Sequence, residues 1–359
     1  MRVALLVNAP VSDRTCSEIR EGKRPRQDFY ELAERTGATV IAAGKASRWS
    51  WLPGWRYLAT AWRGFRSRHQ YDVLVSDIEH VGLLLAFLLK LSGAKNKHVM
   101  VCHGKITKPW ALAMMRLFRL STHINKFVFY GPAVASHVRR SLDLPEDRLV
   151  TVRHATDHIF WRPQGAPPER LVVGAGMLRR DWGALVEAVR GMNVQVVIAA
   201  HSPWVNGSWR RRGRSDLPPN VSFTRCTPVE LRALYDRALF VAVPLFPSKA
   251  QSGSLVVYEA FAMGKAVVTT WTEGQKDLQL ITPGETGYYV APGDTLGWKA
   301  AISRLLANPE EARGMGGRAR ALVEARLNLD NYASELTALL NSLDVAHEGQ
   351  GAAGIPAPR

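Results

Sequence analysis

Cysteine is scarce, with three in 359 residues, at positions 16, 102 and 226. An odd, scattered trio builds neither a disulfide framework nor a metal site, and it points to a reducing compartment, the cytoplasm. Long apolar runs are absent too. The longest, "VGLLLAFLLKLSG", is interrupted by Lys90 and is too short to span a bilayer. The opening "MRVALLVNAP" is apolar but short, and it reads as a strand rather than a secretory leader. Acidic residues are few, 31 against 47 Lys and Arg, for a formal net charge of +16. Most of the imbalance lies in residues 1–165, which hold 26 basic and 13 acidic residues. That balance admits nucleic acid, anionic lipid headgroups or phosphorylated substrates as partners. Low complexity is confined to the end, "HEGQGAAGIPAPR", so residues 343–359 are predicted to be a loose tail.

What is present is alternation. Twelve short β-branched runs, from "RVALLVN" to "GYYVAP", are separated mostly by amphipathic helical stretches. This order predicts an α/β protein with parallel sheets covered by helices. The pattern restarts after "WRPQGAPPER", which has three prolines and no period. Two Rossmann-like domains follow, 1–163 and 164–342, with the carboxyl ends of their strands expected to face across a cleft. Thr227-Pro228-Val229-Glu230 predicts a capping box, and Asn308-Pro309-Glu310-Glu311 repeats its grammar. The helix after it, to about 342, is expected to break near Asn328.

The segment "PLFPSKAQSGSLVVYEAFAMGKAVVTT" carries the chemistry. A buried strand runs into the small polar loop Gln251-Ser252-Gly253-Ser254, which opens a helix. Gly253 lets a ligand approach the backbone, and Ser252 or Ser254 can cap. The first free amides and the helix dipole then suit an anion such as a diphosphate. Glu259, one and a half turns in, can accept two hydrogen bonds from a ribose diol. A plain strand-loop-helix with a solvated Glu reads the same residues.

Pro247, Ser248, Leu255, Glu259, Ala260, Ala262, Gly264, Val267 and Val268 together resemble the nucleotide-sugar signature of the GT-B fold glycosyltransferases, family-4-like. "GETGYYVAPGD" (284–294) and Asp157 with Phe160 match further elements of that family. The resemblance covers most of the C-terminal domain and islands of the N-terminal one. It implies a transferase that moves a sugar from a nucleotide-diphosphate donor, retaining and metal-independent. Glu259 would hold the donor ribose. Ser252 and the amides of Gly253, Ser254 and Leu255 would meet the sugar or phosphate. Arg180, in an Arg-Asp-Trp variant of the phosphate loop, would take the place of the family's Lys. His103, in a His-Gly after a strand, would contact the transferred sugar. The first acid of the family's Glu-x7-Glu pair is Gln251, which cannot serve as a carboxylate nucleophile. The family's Arg falls on Ala175, and the first loop lacks paired glycines. A nucleotide-sugar epimerase and a non-catalytic binding protein are the competing readings.

Residues 45–70 hold Trp49, Trp51, Trp55, Trp62 and Phe65 with five arginines, and 105–120 are similar. Such composition suits an interfacial membrane helix or, equally, a core-packing helix with a cationic outer face. The first reading makes the protein peripheral on the inner membrane face, with a lipid-linked or glycan acceptor there; a small-molecule acceptor is the other expectation. Arg210, Arg211, Arg212 and Arg214 form a further basic stretch, but no nucleic-acid module signature accompanies it, so nucleic acid is disfavoured.

Overall fold

The computed structural model describes residues 1–9, 12–44, 53–200, 217–248, 251–276, 278 and 281–351, with the last helix's side chains described to Leu343. The chain forms two compact units. One comprises Met1–Cys16, Gln27–His154 and the chain from Asp330; the other comprises Ser17–Arg26 and Ala155–Leu329.

The first unit is a six-stranded parallel sheet in the order β2-β1-β3-β4-β5-β6. Its strands are β1 (Val3–Leu6), β2 (Thr39–Ile41), β3 (Val73–Ser76), β4 (Lys97–Cys102), β5 (Lys126–Phe129) and β6 (Leu149–Thr151). The connecting helices are α1 (Asp13–Arg20), which divides between the units after Cys16, α2 (Asp28–Thr36), α3 (Trp55–Ser67), α4 (Glu79–Leu91), α5 (Pro109–Leu117) and α6 (Pro132–Leu142). Right-handed crossovers put α3 to α6 on one face. Ser76 pairs with Met100 and Cys102 with Phe129, so the residues that follow β3, β4 and β5 emerge at one edge.

The second unit repeats the plan in the order β12-β11-β10-β7-β8-β9, again all parallel. Its strands are β7 (Leu171–Ala175), β8 (Gln195–Ala199), β9 (Val221–Thr224), β10 (Phe240–Val243), β11 (Ala266–Thr270) and β12 (Gly287–Val290). Helices α7 (Trp182–Ala188), α8 (Pro228–Arg237), α9 (Ser254–Ala262), α10 (Glu273–Lys276), α11 (Thr295–Ala307) and α12 (Pro309–Arg326) follow in turn. Successive residues of β7 and β10 feed opposite faces. Val173, Val241 and Val243 pack with Val257 and Phe261 of α9, while Val172, Phe240 and Ala242 pack with Trp182 and Trp298. Each buried Val or Phe among these contributes about 1.5–3 kcal/mol, and burial on both faces explains the unbroken apolar strand runs. Strand order reverses between β7 and β10, the position where open sheets of this kind bind ligands.

All twelve expected runs are strands, and Thr227 with Glu230 forms the reciprocal capping box. The long helix breaks at Leu327-Asn328, and α13 (Leu329–Gly351) begins there. Asn308 does not cap α12. It also ends α11, and its amide donates back to the Arg304 carbonyl at 3.0 Å. The unit boundaries differ from the expected 163/164 divide. Asp157 accepts from Ile159 N and Phe160 N and pairs with Arg26 at 3.0 Å, and Phe160 and Trp161 lie in the second unit's core. Helix α13 returns to the first unit, burying Tyr332, Leu336 and Leu340, with Arg35 bridging to Asp330 at 3.1 Å. The tail expected from 343 is helical to Gly351, since extending a helix already anchored by packing adds one hydrogen bond per residue fixed. Residues 352–359 lie outside the described residues.

Candidate functional site

At the switch point of the second sheet, the loop after β7 pairs with the loop after β10. Asp181 N donates to Pro244 O at 3.1 Å and Phe246 N to Arg179 O at 2.9 Å. This stitching seats Arg180, which is buried. Its Nε donates to Ala175 O and its Nη1 to Leu178 O, both at 2.9 Å. The guanidinium is therefore not an open fork; the remaining amino group, Nη2, has no acceptor among the described residues. Burial lowers its pKa to about 10, with Tyr235 and Glu259 opposing, so it stays cationic at neutral pH. Gly176, at φ +89, makes room for it: a Cβ there would lie 2.3 Å from Nη2.

The β10 loop ends at Gly253, whose φ of +88 starts α9. Neither Ser252 nor Ser254 caps the helix, because its N-cap is Gly253 in the left-handed conformation, without a side chain. The first amides of α9 are thus left to another partner. Leu255 is exposed and Ser254 is buried. Behind the loop, Gln275 is buried and donates to Ser252 O at 3.1 Å, while its Oε1 has no partner among the described residues. The Gln251 Nε2 is likewise buried without one. Lys249 and Ala250 lie outside the described residues.

Glu259 is half-buried on α9, and Tyr235 of α8 donates to its Oε2 at 3.3 Å. Burial pushes the carboxyl up to about 7, against the Tyr235 hydrogen bond and the Arg180 charge. The structure thus gathers Arg180, Gln251, Ser252, Gly253, Ser254, Leu255 and Glu259 at one sheet edge. Tyr235 and Gln275 join them. They carry no motif, and only packing reveals them.

His103 belongs to the first unit. Its Nε2 donates to Asp77 O at 2.8 Å and lies 3.8 Å from Asp77 Oδ1. Burial lowers its pKa, but Asp77, Glu79 and Asp28 outweigh this and raise it to about 9. The ring stands 5.2 Å from that of Tyr130, whose hydroxyl meets Tyr332 Oη at 3.2 Å. Glu79, fully buried, accepts from Lys105 N at 2.8 Å and Ile106 N at 3.4 Å, fixing the turn that carries His103. Asp77 and Tyr130 were missed in the sequence, although each follows a strand just as His103 does.

In the basic stretches, α3 buries Thr60, Ala61 and Gly64 and exposes Trp62, while α5 exposes Trp110. Arg48, Trp49, Trp51 and Arg210–Arg214 lie outside the described residues. Among the described residues no helix is long and apolar enough to cross a membrane.

Residues 170–308 match a family model described as glycosyl transferases group 1. No curated protein matches the chain. Among solved structures, sucrose-phosphate synthase from Thermosynechococcus elongatus is similar with a TM-score of 0.72 and 18% identity, covering 96% of this chain and 99% of that one. Anabaena HepE in complex with UDP and glucose has a TM-score of 0.69 at 16% identity, covering 95% and 100%. The α,α-trehalose 6-phosphate synthase of Burkholderia multivorans has a TM-score of 0.65 at 13% identity, covering 99% of both.

Proposed function

We propose that the protein transfers a sugar from a nucleotide diphosphate to an acceptor, because residues 170–308 match the glycosyl transferases group 1 model and the chain shares the fold of the similar solved structures. One observation carries the reading: at the switch point, Arg180 pairs with Leu245 in the loop that leads to the uncapped start of α9, and Glu259 follows one and a half turns along α9. The amides of Gly253, Ser254 and Leu255 with Arg180 meet the diphosphate. The free Oε1 of Glu259 accepts from the ribose diol. His103 contacts the transferred sugar. HepE with bound UDP and glucose supports a nucleotide-sugar donor. A mutant of S. aureus TarM, in complex with fondaparinux, α-GlcNAc-glycerol and UDP, supports a glycan among the acceptors. A lipid-linked acceptor agrees with the basic, Trp-rich first unit.

Gln251 stands where a carboxylate nucleophile would be, so the reading is front-face and retaining. The acceptor oxygen bonds to the anomeric carbon on the face that the diphosphate leaves, and its proton passes to the departing phosphate oxygen. Leaving-group charge is met by Arg180 and helix amides, so the reading needs no metal. Gln251 and Ala175 also favour a second reading, a nucleotide-sugar-binding protein without turnover. Thermal shift with UDP-, GDP-, ADP- and dTDP-sugars tests donor binding; a ligand at 100 times its Kd stabilises by about 2.7 kcal/mol. Incubating the stabilising sugar with and without glycan acceptors then separates the readings. Transfer supports the proposal, acceptor-free epimerisation marks an epimerase, and binding without turnover marks a binding protein.

A further inference from the structure

Between Pro53 and Ile124 the chain carries eleven Lys and Arg but only three acids. Asp72 pairs with Arg2, Asp77 lies beside His103, and Glu79 is fully buried. None of the eleven cations forms an ion pair among the described residues; those that bond do so to carbonyls, as Arg63 does to Ala42 O and Arg116 to Ser141 O. Helices α3, α4 and α5, side by side on one face of the sheet, therefore present no exposed carboxylate. A solvated helical layer normally mixes both signs.

The same layer holds large apolar side chains in the open. Leu91 is 70% exposed, Leu117 75%, Trp62 48% and Trp110 47%. Leu91 and Leu117 flank a groove of about 230 Å³, with Phe87 and Phe118 in its walls and Lys90 and Arg119 at its rim. A row of rings continues the surface: Tyr57 of α3 stacks on His80 of α4 at 4.6 Å, and His80 meets Trp110 of α5 at 5.5 Å.

We propose that this α3–α4–α5 face docks on an anionic bilayer surface. Trp62, Leu91, Trp110 and Leu117 enter the headgroup region, while Arg56, Arg66, Lys90 and Arg119 face lipid phosphates. Charge complementarity selects an anionic partner, and the apolar residues interleaved with the cations select lipid over a polyanion. A polyanion gains nothing from Leu91 or Leu117, whereas the boundary between headgroup and acyl chain takes both Leu and Trp. The proposal goes beyond sugar transfer, since binding needs neither donor nor acceptor.

Co-sedimentation of the full chain with vesicles, without any nucleotide sugar, tests it. Vesicles containing phosphatidylglycerol should bind the protein, and pure phosphatidylcholine should bind at least tenfold less. Each facing cation is expected to contribute about fivefold near the surface, falling as salt rises. The double variant Leu91→Glu with Leu117→Glu should lose binding at least tenfold with its melting temperature unchanged, because both side chains already face solvent. Lys299→Glu, an exposed change in the second unit, should cost less than twofold. No binding to anionic vesicles at low salt overturns the proposal. So does binding that Leu91→Glu with Leu117→Glu leaves intact, or heparin retention without vesicle binding.

Discussion

The Tyr235 hydroxyl donates to Glu259 Oε2 at 3.3 Å, the one hydrogen bond that the carboxylate receives among the described residues. Tyr235 is fully buried on α8, while Glu259 comes from α9. The bond leaves Oε1 for a ligand and favours the charged form that a diol would recognise.

Glu259 titrates near 7 when folded, above its ordinary value of 4.5, because burial penalises its charge. Donor affinity should therefore rise as pH increases through about 7. Tyr235→Phe removes the donor that opposes burial, so the acid limb should move to higher pH. A hydrogen bond to a charged group contributes about 1.5–3 kcal/mol, so donor KM at pH 7 should rise roughly tenfold with kcat at saturation nearly unchanged. An unmoved limb in the pH profile of kcat/KM would remove this role.

Gly176→Ala should cost about 1–3 kcal/mol, because φ is +89 and a Cβ would meet Arg180 Nη2 at 2.3 Å. Arg180 must then leave its carbonyl partners. Donor binding, read by thermal shift, should weaken along with stability, whereas Gly191→Ala, also at positive φ but with nothing within 4 Å of its Cβ, should lower stability alone. Equal donor affinity in the two variants would show that Arg180 does not depend on Gly176.

Gln251→Glu restores a carboxylate at the position the family resemblance assigns to the first acid. With a front-face reaction, no covalent glycosyl-enzyme should accumulate in either protein when intact mass is measured after rapid quench. The product anomer, read by NMR, should match that of the donor. An adduct on the introduced carboxylate, with faster turnover of the variant, would contradict the mechanism.

His103 carries its proton to about pH 9 in the folded chain, above its ordinary 6.5. The folded state then binds more protons than the unfolded state between those values. Its contribution to stability is full below about 6.5 and is lost as pH rises through about 9. Urea midpoints taken across that window should fall with pH, and His103→Gln should flatten the fall. An unchanged slope in the variant would show that Asp77 does not hold the imidazolium.

Much of this protein is legible along the chain. Runs such as "FVAVPL" and "AVVTT" are apolar on both faces because their strands are covered on both sides, and that periodicity needs no coordinates. Thr227 and Glu230 meet across one helical turn, and Gly253 opens α9 within a short motif, so local chemistry was enough for both. Contacts between distant segments were not legible. Asp157 lies 131 residues from Arg26, and their ion pair fastens 17–26 to the second unit. Tyr332 buries itself beside Tyr130, which returns α13 to the first unit. An amphipathic pattern states that a helix must cover something; which sheet it covers is decided by complementary surfaces that the one-dimensional pattern does not hold. The same limit applied at the loop first read as an anion site. Its helix start was evident from residues 251–254, but the hydroxyl that orients Glu259 and the carbonyls that hold Arg180 emerged only from tertiary packing.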